Sequence, residues 1–413
     1  MTARSAGKLL LATVAVTALT VATLDANRDI PQRGAPIVVL VSLDGFHPDY
    51  LERYQAPNLR ELAARGARAR WMVPVFPSNT FPNHYSIVTG LLPAHHGIVD
   101  NHFVDPSDGA RFRYSAPDAR QSRWWQGEAL WTTAERQGVG AASFFWPGSD
   151  VEDPARRPRI WKRYDGRVPN ASRVDSILAW LDVPEGERPH FLTLYFSDVD
   201  HWGHESGPDS PEVAAAVARV DSMIGRLVAG LRRQGLEDRV NLVVVSDHGM
   251  AELSAQRVLV LDDYVARGSV NAISLGSTIN LRMRGALTAD SVARALSASP
   301  RLHVYTREAM LPRWRYEGNP RIADVVGVPD AGWVLTTRAA LATGRGSLGG
   351  AHGFDNADST MRALFVAAGP AFRRGVVVEP FQNLHVYDLI CGILGLTPAP
   401  NDGSPDSVRV LLR

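Results

Sequence analysis

"APIVVLVSLDG" (35–45) and its later counterpart "VNLVVVSDHGM" (240–250) decide how this chain is read. Each is a continuous apolar, β-branched run that stops abruptly at an acidic residue. Runs without polar alternation mark strands buried on both faces, as in a parallel sheet covered by helices. The segments around them support this. "PNLRELAARG" (57–66) has helical spacing and a glycine stop, and "ARARWMVPVF" (67–76) alternates like a strand. "GEALWTTAERQG" (127–138) reads as a helix and "GAASFFWPG" (140–148) as the next strand; "RVDSILAWLDV" (173–183) and "HFLTLYFSDVD" (190–200) repeat the pair. Between Pro211 and Gly235, Val213, Val217, Val220, Ile224, Leu227 and Leu231 recur every three or four residues, which predicts a long amphipathic helix. The fold class is therefore α/β, with a mostly parallel central sheet sandwiched between helices.

The rhythm changes after 250. "STINLRMR" (277–284), a helical stretch near 288–298 and "DAGWVLTTR" (330–338) suggest a smaller α+β insert over 251–346. The sheet pattern returns at "RALFVAAGPAF" (362–372), so the catalytic core spans 27–250 and 347–413. At the N-terminus, Arg4 and Lys8 precede an apolar run from Leu9 to Ala22. That run is short for a membrane span and suits a secretory signal over 1–26, with an uncleaved anchor as the alternative. Both place the core in the periplasm or outside the cell.

Composition narrows the function. The 413 residues carry a formal net charge of +1, so no global field draws the chain to nucleic acid or anionic membrane. Anion binding must be local. The single cysteine, Cys391, lies in the helix-like "LHVYDLICGILGL" (384–396) and reads as a buried thiol. One cysteine excludes an intrachain disulfide and a thiolate zinc cluster, so a metal site must use His and carboxylates.

Such residues gather where the strands end, which is where open α/β sheets place their sites. Asp44 follows the first strand, and Asp247 and His248 follow the strand at 240. In "DVDHWGHESGP" (198–208), Asp200 and His204 stand four apart and can face one cation. Asp198 and His201 compete for that role; read as the continuation of a strand, the segment puts Asp198 and Asp200 on one face. In "GSLGGAHGFDN" (346–356), glycines around His352 allow close backbone approach. "NTFPNHYSIVTG" (79–90) places Thr80 at a helix entrance, where Pro82 costs no donor. Threonine there is commonly a helix cap. With a cation beside it, its hydroxyl becomes a nucleophile, and the helix end offers N–H groups to phosphate oxygens. Asn101 in "GIVDNHF" (97–103) is an amide donor of the kind that holds such an oxygen. Two ions about 4 Å apart would suit in-line displacement at phosphorus.

Together, "VSLDGFHPDYL", "MVPVFPSNTFPNHYSIVTGLLPAHHGIVDN", "YFSDVDHWGHESGP", "VVVSDHGM" and "GAHGFDN" resemble the nucleotide pyrophosphatase/phosphodiesterase family of the alkaline phosphatase superfamily. The resemblance implies an alkaline phosphatase-like fold and two Zn2+ per chain. One zinc would be held by Asp200, His204 and His352, the other by Asp44, Thr80, Asp247 and His248. The family pattern Asp-x-x-Gly-His selects Asp200 over Asp198. It further implies Thr80 as nucleophile, a covalent phospho-threonine intermediate, and Asn101 and the Phe81 N–H as phosphate-oxygen donors. Phe81 and Tyr195 match base-stacking positions, with Tyr164 a further pocket residue. The implied activity is hydrolysis of nucleotide phosphodiesters or pyrophosphates to nucleoside 5′-monophosphates, with small-molecule substrates and no sequence-specific nucleic acid. Lys162, the lysine outside the signal segment, raises the alternative of a phosphomonoesterase; a diesterase for glycerophospho or lipid head groups is a third reading. A sulfatase is disfavoured, because the nucleophile position is Thr.

Overall fold

The computed structural model describes residues 34–343 and 348–413. The segment read as a signal lies outside them. Twelve strands carry the architecture: β1 Ile37–Leu43, β2 Ala67–Ala69, β3 Ala141–Phe144, β4 Ile160–Lys162, β5 Phe191–Phe196, β6 Val240–Val245, β7 Val270–Ser274, β8 Ile279–Met283, β9 Leu302–Thr306, β10 Val325–Pro329, β11 Phe365–Ala368 and β12 Val376–Val378. The main sheet has the order β12-β2-β11-β6-β1-β5-β3-β4. Only β11 runs antiparallel to its neighbours.

β1 sits near the middle and all seven of its residues are buried. Its side chains alternate between two cores. Ile37, Val39, Val41 and Leu43 pack with α1 (Pro57–Arg65), α4 (Asn170–Leu181) and α6 (Pro211–Arg233). Val38 and Leu40 face the opposite core, built with α2 (Thr80–Thr89), α3 (Leu130–Arg136) and α8 (His385–Leu394). A fully buried Val, Leu or Ile contributes about 1.5–3 kcal/mol, which is why both faces must be covered. Helix α1 has no side-chain cap of its own at Ala56. Asp221 of α6 caps it instead, accepting from the Leu59 N–H at 2.8 Å and the Asn58 N–H at 3.2 Å. Cys391 is buried in α8, where burial pushes its thiol up to about 12.

Two expected elements differ. "ARARWMVPVF" is two short strands: Ala67–Ala69 belongs to the main sheet, whereas Met72–Val73 pairs with Phe381–Gln382. Pro74 has no N–H with which to extend a ladder. The strand at 190–200 ends at Phe196, and Asp198–Ser206 is a helix, α5. Acidic residues in its first turn complement the helix dipole.

The second sheet, β7-β8-β10-β9, is antiparallel and packs against α7 (Ala289–Leu296) around Ile279, Leu281, Val292, Leu296 and Val325. Among the described residues no helix is long and apolar enough to cross a membrane.

Gly45 closes β1 at φ +68, and a Cβ there would lie 2.9 Å from Asp200 Cα. The contact presses the loop after β1 onto α5. Gly45→Ala should destabilise the protein in urea unfolding by more than Gly285→Ala. Gly285 has the same φ of +68 with nothing within 4 Å, so it reports the backbone cost alone, about 1–2 kcal/mol. Equal losses would show that the approach to Asp200 is not tight.

Candidate active site

Three loops at the carboxyl ends of β1, β5 and β6 are tied to one another. Asp44 N–H donates to Phe196 O at 2.9 Å, Asp200 N–H to Asp44 O at 3.1 Å, and Gly45 N–H to Asp247 Oδ1 at 3.2 Å. Three carboxylates are thereby brought together in the interior. Asp44 Oδ1 and Asp200 Oδ1 are buried without a hydrogen-bond partner, and Asp247 Oδ2 meets only the imidazoles of His248 and His84, at 2.9 and 3.3 Å. A buried, unpaired carboxylate oxygen carries a large desolvation cost unless a cation meets it. Burial, then the Asp247 and Asp200 carboxylates, push Asp44 well above the usual carboxylate range.

Imidazoles complete the cluster, each held by its Nδ1 on a backbone carbonyl. His248 bonds Gly249 O at 2.9 Å, His352 bonds Ser78 O at 3.1 Å, and His204 bonds Gly350 O at 2.9 Å. This is the outer-shell arrangement that fixes a tautomer and leaves the Nε2 lone pair for a metal. His248 Nε2 lies 2.9 Å from Asp247 Oδ2 and 3.6 Å from Asp44 Oδ1. Asp200 Oδ1 is 3.4 Å from His204 Nε2 and 3.6 Å from His352 Nε2. The His248 and His352 rings stack at 3.6 Å. Burial, then the neighbouring His248 and His204, hold His352 well below the usual imidazole range, so its lone pair is free. Two tight sets of possible ligands result: Asp200, His248 and His352; and Asp44, Asp247 and His248. His248 stands between them, and His204 flanks the first set. Buried oxygen and nitrogen donors of this kind fit divalent cations such as zinc.

Helix α5 changes the reading of 198–208. In a helix, Asp200 and His204 share a face, whereas Asp198 turns away. Asn170 Nδ2 donates to both Asp198 oxygens, at 3.0 and 2.9 Å, and Arg219 lies 3.6 Å away. Asp198 is thus already partnered, and the helix turns Asp200 rather than Asp198 toward the imidazoles.

Thr80 opens α2, with Oγ1 3.2 Å from His248 Nε2. Asn101 Oδ1 accepts from the Phe81 N–H at 2.9 Å. His84, one turn further along, is no ligand. Its Nε2 is 2.7 Å from Ser42 Oγ and its Nδ1 2.9 Å from Thr80 O, so both nitrogens are engaged.

A cleft of about 1270 Å³ opens beside this cluster, lined by Thr80, Phe81, Asn101, Tyr114, Lys162 and Tyr164 among others. Phe81 leans on Tyr114, ring centroids 5.3 Å apart, and Tyr114 and Tyr164 are 47% and 53% exposed. Tyr114 was not evident from sequence, since nothing in "RFRYSAP" sets it apart from a hairpin residue. Lys162 is exposed on the cleft wall. Tyr195 lies deeper than a rim residue: it is buried, and its hydroxyl donates to Asp44 Oδ2 at 2.6 Å.

The chain is similar to known proteins in sequence and in fold. The sequence model of the type I phosphodiesterase / nucleotide pyrophosphatase family matches residues 38–355. Human ectonucleotide pyrophosphatase/phosphodiesterase family member 1 is 39% identical over 92% of this chain, which spans 42% of that protein. A pyrophosphatase/phosphodiesterase of Schizosaccharomyces pombe is 38% identical over 91% of this chain and 80% of its own length. Among solved structures, an inactive form of murine ectonucleotide pyrophosphatase/phosphodiesterase 5 in complex with AMP superposes with a TM-score of 0.85, at 34% identity, covering 92% of this chain and all of that one. The chain spans less than half the length of the human relative, yet the matched part holds the whole site. It therefore belongs to the type I phosphodiesterase/nucleotide pyrophosphatase family, within the alkaline phosphatase superfamily.

Proposed function

We propose that this protein is an exported two-zinc phosphodiesterase that hydrolyses nucleotide phosphodiesters or pyrophosphates to nucleoside 5′-monophosphates through a covalent threonine intermediate. One observation carries the reading. Thr80 Oγ1 stands at a helix N-terminus, 3.2 Å from His248 Nε2, beside the carboxylates of Asp44, Asp200 and Asp247, the first two of which keep a buried oxygen without a partner. Asp200, His204 and His352 would hold one cation; Asp44, Thr80, Asp247 and His248 would hold the other. Such ions supply Lewis acidity, favouring the alkoxide of a bound hydroxyl and neutralising charge on phosphate and leaving oxygens.

The chain's own residues do the rest. Thr80 Oγ1 releases its proton and bonds to phosphorus as the bond to the leaving oxygen breaks. The leaving oxygen takes up a proton. Water then adds to phosphorus, the Oγ1–phosphorus bond breaks, and Thr80 regains its proton. The N-terminus of α2 offers its positive end to the phosphate, and the Asn101 Nδ2 is the local side-chain donor; the Phe81 N–H, expected from the resemblance to donate as well, is bonded to Asn101 Oδ1 and positions that amide. Phe81, Tyr114 and Tyr164 present aromatic surface to a nucleobase. Stacking of this kind contributes about 1–3 kcal/mol per base and tolerates any base. Export agrees with the names of the relatives, which are ectoenzymes and venom phosphodiesterases.

The deciding comparison is kcat/KM for the p-nitrophenyl ester of thymidine 5′-monophosphate against p-nitrophenyl phosphate. A strong preference for the diester is expected, and a preference for the monoester would move the protein to the phosphatase side, with Lys162 the first residue to replace. Thr80→Ala should lower kcat by roughly 10³-fold or more with zinc still bound; turnover near wild type sinks the nucleophile assignment. Stripping the metal with a chelator should lower Tm. Zinc restored at 100 times its Kd should return about 2.7 kcal/mol, and no change in Tm would argue against a cation in the cluster. Tyr195→Phe removes the hydroxyl from Asp44 while keeping the ring, and should cost about 10–100-fold in kcat/KM or zinc affinity. Full retention of both would leave the Tyr195 hydroxyl without a role at the metal site.

A further inference from the structure

Asn79 precedes α2 at the N-cap position, where an asparagine side chain ordinarily accepts an N–H from the second or third helical residue. Here it caps nothing. The third residue is Pro82, which has no N–H, and the Phe81 N–H goes to Asn101 Oδ1. The Asn79 amide instead donates to Asp100 Oδ1 at 2.7 Å. The same oxygen accepts the backbone N–H of Asn101 at 2.6 Å, and Asp100 Oδ2 accepts from Asn280 Nδ2 at 2.6 Å. Asp100 is buried, and its side chain bonds only Asn79, Asn101 and Asn280, not Thr80 or any metal-ligand candidate. Burial lifts it to about 6 even though all three N–H donors pull the other way, a cost that a purely space-filling side chain would not carry.

We infer that Asp100 is a positioning residue for the phosphate-oxygen site. It draws the Asn79 amide off the helix that it would cap and fixes Asn101 through its backbone, braced by Asn280 from the smaller sheet. The inference rests on the proposed phosphodiesterase reading. Its consequence is that the N-terminus of α2 is left for a substrate oxygen to complete, with Asn101 as its side-chain partner. The brace reaches the metal side too. From the turn leading into β8, Ser277 Oγ donates to His352 O, and Thr278 Oγ1 donates to Gly353 O at 2.5 Å. One turn of the smaller sheet thus holds the phosphate donors through Asn280 and the His352 loop through Ser277 and Thr278.

The test replaces acceptors without changing shape. Asp100→Asn presents an N–H to a site that already has three donors, and should lower kcat on the thymidine 5′-monophosphate ester by roughly 10–100-fold. KM should stay within about 3-fold and zinc content near wild type, with Tm lowered only by the loss of about one buried hydrogen bond and the variant fully folded at the assay temperature, a split that a general folding defect would not give. Asp100→Asn combined with Asn280→Asp restores one donor to each acceptor and should recover most of kcat. Asp100→Asn with Asn101→Ala should be no slower than Asn101→Ala alone, because the first residue acts through the second. Should Asp100→Asn fail to fold, Asn280→Ser read by the same measurements decides, with a kcat loss at unchanged zinc content supporting the role. Wild-type kcat in the variant, losses that multiply with Asn101→Ala, or a loss explained by missing zinc overturns the inference. Failure of the underlying reading looks different: Thr80→Ala would then keep its turnover. An inactive Thr80→Ala beside a fully active Asp100→Asn removes Asp100 alone.

Discussion

The constraint on which the rest depends is electrostatic. Asp44, Asp200 and Asp247 converge at the ends of neighbouring strands; Asp44 and Asp200 each keep a buried oxygen without a hydrogen-bond partner, and Asp247 Oδ2 meets only imidazoles. Like charges packed out of water destabilise the folded chain unless positive charge is added, and the nearest side chains are imidazoles already turned by their Nδ1 atoms onto carbonyls. The cluster thus carries acceptor oxygens and nitrogen lone pairs in the arrangement that a cation satisfies. The surrounding fold is what prevents it from relaxing. Backbone bonds lock the three loops to one another, and Gly45 lets two of them touch.

Around that cluster the polar side chains form supports with separate tasks. Asn83 Oδ1 accepts from the Val75 N–H at 2.8 Å and its Nδ2 donates to Pro77 O at 2.9 Å, which pins the turn before Thr80. His84 ties α2 to β1 through Ser42, and Trp146 Nε1 donates to His84 O at 2.9 Å. These bonds are buried, where a missing partner costs about 1–3 kcal/mol, so the entrance of α2 is held by a set of contacts that are hard to break singly. A rigid entrance suits the proposed role of Thr80, because attack on phosphorus tolerates little error in the position of the oxygen.

The cleft follows a different logic. Its aromatic side chains keep large exposed faces at Tyr114 and Tyr164, while Tyr195 is buried under them and reaches Asp44. Exposed aromatic surface and a hydroxyl on the carboxylate cluster are therefore built from tyrosines that differ in depth. Phe145, beneath Tyr164 at a ring distance of 5.1 Å, has φ +70, unusual for a bulky residue and placed where the strand β3 gives way to the cleft wall.

Local sequence was enough for the elements that bury both faces. The unbroken runs of β1 and β6, the spacing of Val213 to Leu231 and the polar residues just past each strand needed no tertiary information, because burial and periodicity are written in neighbouring residues. The resemblance of five motifs gave the family before any geometry. What sequence could not supply was direction. Strand alternation put Asp198 and Asp200 on one face and only the family pattern favoured Asp200; the helix, which turns 100° per residue, is what sends one to Asn170 and the other to the imidazoles. Tyr195 matched a stacking position by resemblance; that it lines the cleft from below, with its hydroxyl on Asp44, is visible only in three dimensions. Asp100 carried no signal beside Asn101, because its partners lie 21 and 180 residues away in the chain. The sequence by itself determined which segments are buried and which residue types meet at the strand ends; the tertiary structure alone decided which atoms face one another, since hydrogen bonds and charge contacts act over a few ångströms of space and are blind to distance along the chain.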